Sequence, residues 1–319
     1  MGRSAPLKTR SQLRPRVGAV LALVDPALGG QVDGVHDFRV AARSLRAGLR
    51  TLTLHPHRSL VRKTRRDLRT AIRVLADVRD RDVGRSLLAK LPATEATEAT
   101  EAALKRRILG LAESDHRVAL TQSHARWPQK LDHRLIALLE RGEPALPIII
   151  RRTLAEAWRQ RRRAIDIIES LGRRYDSARL HNLRIRIRRL RYALEVLAEV
   201  ESGPHVRLAL LKPLQSALGN AQDRIVLSRW LSRQAARFGS NDVSLASALR
   251  LQARYFRAQA VQSHARFLKL RTRDVLERLA LHVDATYAEK TTLNRKQPGR
   301  VNAPGPRSRP RQASSRSRA

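Results

Sequence analysis

In VHDFRVAARSLRAGLR, residues 35–50, one histidine and four arginines recur at helical spacing: His36, Arg39, Arg43, Arg46 and Arg50. At 100° per residue His36, Arg39, Arg43 and Arg46 share an arc of roughly 80°, and Phe38, Ala42, Leu45, Leu49 and Leu52 fill the arc beside it. One face is built to pack, and its neighbour is a row of cations. From Arg39 to Arg50 the row extends about 16 Å at 1.5 Å per residue, long enough to meet several consecutive phosphates. Like charges three and four apart cost about 0.2–0.5 kcal/mol per pair, so the row is a liability until an anion binds.

The same row occurs again. VHDFRVAARSLRAGLRTL (35–52) aligns with LHNLRIRIRRLRYALEVL (180–197) at an offset of 145, pairing His36 with His181, Arg39 with Arg184, Arg43 with Arg188 and Arg46 with Arg191. Beside the second row stand Leu183, Ile187, Leu190, Leu194 and Leu197. At the nearly equal offset of 143, LADVRDRDV (75–83) aligns with LGNAQDRIV (218–226). Two segments repeated in order divide the chain into related halves of about 145 residues, meeting near Pro144 to Ile150. A lone basic stripe reads as a solvated helix face; recurrence in both halves favours a binding surface.

A following segment adds Arg62, Arg66, Arg69 and Arg73 opposite Val61, Leu68, Ile72 and Leu75, and at the second offset Arg69 aligns with Lys212. Helices laid side by side in each half would form a basic groove, and halves packed about a pseudo-twofold axis would join two grooves into one channel. Arginine suits phosphate because its planar fork binds two oxygens and keeps its charge. Histidine, ordinarily near pKa 6.5, is drawn toward its charged form by an anion.

These elements need a frame. The 319 residues are 42% hydrophobic but only 3% aromatic, with leucine, alanine and isoleucine interleaved with arginine, which predicts an all-α protein. Helical periodicity runs through 13–28, 35–54, 59–91, 95–127, 148–171, 180–200, 206–238 and 242–282, broken by glycine and proline near 26–34, 55–56, 142–147, 202–204 and 239–241. From Thr291 the chain is basic, acid-free and rich in proline and serine, which predicts a disordered tail.

A net charge of +37 implies a polyanionic partner. With no cysteine, thiolate chemistry and zinc-thiolate sites are excluded. The longest apolar run, ALPIII at 145–150, is far shorter than a membrane span, and no secretory signal begins the chain, so the expected location is cytoplasmic. Asp77, Asp80 and Asp82 could suggest a cation site, but Asn220 and Ile225 replace two of them in the second half; Asp80 and Asp223 are expected to orient arginines through ion pairs instead. Trp127, Trp158 and Trp230 read as core. Phosphate-loop, nucleophile-elbow and zinc-protease motifs are absent, so no catalytic residue, metal or cofactor is expected.

The paired motifs HDFRVAARSLRAGLR with LADVRDRDV, and LHNLRIRIRRLRYALE with LKPLQSALGNAQDRIV, resemble the two halves of a CHAD domain, the conserved histidine α-helical domain. The resemblance covers about residues 10–288, with halves near 10–143 and 144–288 and a tail from 289. It implies two four-helix bundles related by pseudo-twofold symmetry, a basic central surface that binds inorganic polyphosphate, and possible direction to polyphosphate granules. It also implies that His36, Arg39, Arg43, Arg46, His181, Arg184, Arg188 and Arg191 form the anion-binding set, with Arg62, Arg69, Arg73 and Lys212 as a supporting row. The triphosphate-tunnel domain with its ExExK signature, which gives some members an enzymatic activity, has no counterpart before residue 35, so a non-enzymatic binder is expected. Nonspecific binding to nucleic acid is the rival, and a phosphotransferase or polyphosphatase is the third class.

Overall fold

Each repeated segment folds as a helix whose apolar arc is the one the spacing picks out. Phe38, Ala42, Leu45, Leu49 and Leu52 are fully buried, as are Leu183, Ile187, Leu190, Leu194 and Leu197. Burying one such leucine or phenylalanine stabilises the fold by about 1.5–3 kcal/mol, so these two arcs anchor their halves. The computed structural model describes residues 11–90, 98–171, 175–200, 208–281 and 283. The tail from 289, and residues 94–97 of the TEATEATEA stretch, lie outside them.

The described residues are all-helical in their regular structure. In order they form α1 (Leu13–Ala22), α2 (Val24–Leu28), α3 (Val32–Gly48), α4 (Ser59–Ala89), α5 (Glu98–Ala125), α6 (Leu131–Leu139), α7 (Leu146–Glu169), α8 (Ser177–Val200), a 3₁₀ turn (Leu208–Leu211), α9 (Lys212–Phe238) and α10 (Val243–Leu268). Helical residues resume at 272–281 after a break marked by the positive φ of Arg271, 44°. Among the described residues no helix is long and apolar enough to cross a membrane.

Helix ends are set by specific residues. Asp176 accepts from the backbone N–H groups of Ala178 and Arg179 at 2.9 and 3.0 Å, and Asp242 accepts from Leu245 at 2.9 Å, satisfying orphan donors at the starts of α8 and α10. Glu143, from the connection between the halves, accepts from the N–H groups of Gln12 and Leu13 at 3.0 Å each, so one carboxylate caps α1 and pins that connection to it. Gly30 turns the chain from α2 into α3 at φ 73°, and Gly34 lets α3 approach Pro26 so closely that a Cβ there would sit 2.7 Å from the proline carbonyl carbon.

The interior divides into three large cores and a small one. One lies within the first half, where α1, α2, α3, α4 and α6 enclose Phe38, Leu68, Leu75, Leu131 and Leu135, with Trp127 packed against Phe38 at a ring separation of 5.2 Å. The second lies within the other half, between α7, α8, the start of α9 and the residues around Leu276 and Val283, with Trp158 at its margin. The third belongs to both halves: Leu88 of α4 and Ile108 and Ala112 of α5 meet Leu227, Trp230 and Leu231 of α9 and Leu245, Leu249 and Phe256 of α10. Trp230 also donates through Nε1 to Asp115 at 2.7 Å. The small fourth cluster joins Leu52, Ile149 and Val196 where α3 nears α8.

Two features depart from the periodicity. Helix α6 occupies a stretch in which the spacing predicts none, and its Leu131, Leu135 and Leu138 are fully buried at i, i+4 and i+7. The single periodic run expected over 13–28 is two helices, broken at Leu23.

Candidate cationic seam

Helix α3 packs on α4 and α8 packs on α9, while α3 meets α8 and α4 meets α9 across the halves. The cationic face of each repeated helix lies beside its buried arc, so this four-helix arrangement draws the two rows toward each other. Arg39 senses the charges of Arg184 and Arg188, and Arg43 those of Arg39 and Arg184. Arg188 in turn senses Arg43, Arg184 and Arg189. Farther along, Arg46 faces Arg189, Arg69 and Arg50, and Arg65 faces Arg50, Arg46 and Arg189. Arg188 and Arg189 join the two groups into one seam.

An ordinary guanidinium keeps its proton well above pH 12. Here burial, reinforced by neighbouring cations, lowers Arg39 and Arg43 to about 10 and Arg188 to about 9. Burial is also the leading cause of the lowering at Arg46 and Arg189 and at Arg65, which falls to about 10. All remain charged at neutral pH. The lowered values measure the cost of holding them together, a cost that a bound anion reverses.

Compensation from within the protein is incomplete. Arg39 is only 8% exposed, yet its Nη1 reaches a single acceptor, the Leu75 carbonyl oxygen at 3.4 Å. The Nε groups of Arg39, Arg46 and Arg65 are buried with no hydrogen-bond acceptor among the described residues, an arrangement uncommon in folded proteins. Arg16, equally buried and with its Nε likewise without an acceptor among the described residues, differs in having a carboxylate partner: it donates to Glu199 at 2.7 Å and to Ser44. Asp80 and Asp223 lie within electrostatic reach of Arg39 and Arg184, and burial raises both carboxyls despite those cations. Neither forms a direct ion pair among the described residues, so they temper the arginines from a distance.

The remaining expected residues divide. His36 is exposed and its pKa is lowered, first by partial burial and then by Arg79. His181 is exposed and its Nδ1 lies 3.0 Å from Gln222 Oε1. Arg69 belongs to the seam through Arg46. Arg50 belongs to it through Arg65 and also lines a cavity of about 870 Å³ with His55, His57, Arg58, Arg152 and Arg159. Arg191 is committed elsewhere, lying 3.0 Å from Glu195, donating to Gln215 at 3.0 Å and stacking over Tyr192. Arg62, Arg73 and Lys212 are exposed on α4 and α9, and no described interaction links them to the seam.

Three members were not foreseen: Arg65, Arg79 and Arg189. Arg65 sits three residues after Arg62 and four before Arg69, a signal that could have placed it; Arg79 lies within the repeated LADVRDRDV motif. Among the described residues no three His, Asp or Glu side chains gather as a set of metal ligands.

The family model for the CHAD domain matches residues 11–232. Two solved structures share the fold. PptA from Streptomyces chartreusis is 19% identical with a TM-score of 0.60, the match covering 82% of this chain and 96% of that one. The CHAD domain from the plant Ricinus communis is 20% identical with a TM-score of 0.60, covering 86% of this chain and 97% of that one. No curated protein matches the chain.

Proposed function

The chain belongs to the CHAD domain family, and from that premise we propose that its cationic seam binds inorganic polyphosphate, as a binding protein rather than a catalyst. One observation carries the reading: Arg39, Arg43, Arg184 and Arg188 from two helices share a partly buried surface with too little negative charge to balance them. A linear polyanion supplies that charge at regular intervals, and its oxygens can accept from the solvent-facing guanidinium N–H groups of the seam. Long-range electrostatics dominates such binding, so it weakens steeply with salt. A granule of the polymer would then concentrate the protein at its surface.

Nucleic acid offers the same charge in a different shape. Base stacking needs exposed aromatic rings, and the seam's tyrosine, Tyr192, is buried. The test is a competition at about 0.15 M salt between long-chain polyphosphate and duplex DNA for the full chain. Polyphosphate displacing DNA at equal phosphate concentration is the expected result. DNA binding as tightly as or more tightly than polyphosphate overturns the reading and reduces the seam to a nonspecific cationic surface.

A further inference from the structure

A second concentration of positive charge lies outside the seam. Between the start of α8, the middle of α9 and the first half of α10 is a cavity of about 1160 Å³, lined by Arg179, Arg229, Arg250, Arg254 and Arg257. Asp176 is the sole acid among its lining residues, and its Oδ1 is already engaged by the amide groups that open α8. The helix start is thus already capped by that carboxylate, and the positive character of the cavity comes from the five guanidinium groups.

Two of the arginines are held in place. Arg229 donates to Ser177 Oγ at 2.9 Å, and Arg179 donates to the Ser170 carbonyl oxygen while its Nε lies 3.4 Å from Asp176. Arg250, Arg254 and Arg257 recur at i, i+4 and i+7 along one face of α10 and form no ion pair among the described residues. That row extends about 10 Å at 1.5 Å per residue, the reach of a short phosphate chain. The cavity's volume lies just above the usual range for small-ligand pockets, roughly 300–1,000 Å³, and its walls are too charged for an apolar guest.

The cavity is distinct from the seam. Arg179 and His181 are two residues apart, about 200° around α8, and so face opposite sides of that helix. In the register that aligns the halves, Arg179 and Arg229 correspond to Gly34 and Ser86, and Gly34 is packed hard against Pro26. The duplicated pattern thus gives the first half no equivalent site.

We propose that this cavity is a second anion site, selective for a compact oligophosphate group of about three phosphates, whether a free inorganic chain or the tail of a nucleotide. Its arginines present bidentate donors from three helices around one cavity, with a row about 10 Å long on α10, a geometry that matches a chain of a few phosphates better than an extended polymer. The site stands on its own residues and does not require the seam to bind polyphosphate.

The test is calorimetric titration of inorganic tripolyphosphate and of a nucleoside triphosphate into three full-length proteins: the unaltered chain, Arg250→Ala/Arg254→Ala/Arg257→Ala, and Arg43→Ala/Arg188→Ala. Alanine favours the helix at exposed positions, so the triple variant retains its fold, which circular dichroism checks. Expected is a loss of about tenfold or more in tripolyphosphate affinity for the triple variant, with the seam variant keeping it. Equal affinity in the triple variant and the unaltered chain overturns the proposal, as does equal loss in both variants. Binding of the nucleotide as tightly as tripolyphosphate assigns recognition to the phosphate tail, whereas failure of the nucleotide restricts the site to free inorganic chains. Long-chain polyphosphate, titrated separately into the seam variant, tests the seam alone.

Discussion

Replacing Arg43 and Arg188 together by alanine removes one guanidinium group from each half, with Arg43 among the cations that act on Arg188, and burial and like charge hold the two at about 10 and about 9. In the proposed complex each makes charge-assisted hydrogen bonds worth about 1.5–3 kcal/mol. Their joint loss is therefore about 3–6 kcal/mol, a fall of roughly 10²–10⁴ in affinity. Two fewer neutralised phosphates also flatten the dependence of log affinity on log salt by about 1.4, at roughly 0.7 per phosphate for a single-stranded polyanion. The fold should survive, because Leu45, Ile187 and Leu190 stay buried and a repulsion disappears. Anisotropy of labelled long-chain polyphosphate across a salt series reads both quantities, with circular dichroism as the control. A folded double variant within about threefold of the parent, at unchanged salt slope, refutes the seam assignment. Should the double alanine variant fail to fold, Arg43→Lys/Arg188→Lys keeps the charges but loses the planar forks; the expectation is then a smaller but measurable loss of affinity.

Two further outcomes are expected. Arg39, Arg43 and Arg188 release protons from about pH 9 to 10 when folded but only at distinctly higher pH when unfolded, so the unfolded chain binds more protons over that interval and stability rises with pH. The Tm of the ligand-free protein should therefore climb between about pH 8 and 10, before Tyr175, raised by burial, opposes it; a flat or falling Tm contradicts the electrostatic cost assigned to the seam. Asp80→Asn with Asp223→Asn removes two carboxylates whose burial outweighs the attraction of Arg39 and Arg184, so Tm near neutral pH should rise and polyphosphate affinity should rise with it; a fall in Tm would show that attraction to the arginines outweighs the burial cost.

Local periodicity made the two repeated helices legible. Every apolar residue assigned to their packing arcs is fully buried, because a 3.6-residue repeat and a one-sided environment leave few alternatives. Helix α6 was hidden because Lys130, His133 and Arg134 surround its three buried leucines in a stretch of only nine residues. The core shared by α4, α5, α9 and α10 depends on contacts more than a hundred residues apart, which periodicity does not encode. For the seam, repetition singled out Arg39, Arg43, Arg184 and Arg188, whereas Arg191 shares the motif spacing and is turned to Glu195 and Gln215. Arg189 gains its place from the approach of one half to the other, where it meets Arg46 and Arg65, and Arg79 from the packing of α4 on α3, beside Arg39 and His36. The second cavity was invisible to a reading based on repeats because only one half contains it.

The core common to both halves bears on the thermodynamics of recognition. Leu88, Leu227, Leu231 and Leu249 fix α4 and α9 to their partners, and Leu52, Ile149 and Val196 clamp α3 to α8. A Cβ added at Gly48 would lie 3.0 Å from Leu52 Cδ1 of its own segment and in ordinary contact with Val196 Cγ2 of α8, at 3.9 Å. The spacing of the guanidinium groups is thus set by hydrocarbon contacts before any ligand arrives. Capture of a chain molecule on this rigid template places the ordering entropy on the polymer and buries little apolar surface, so the association is marked by a heat capacity change near zero.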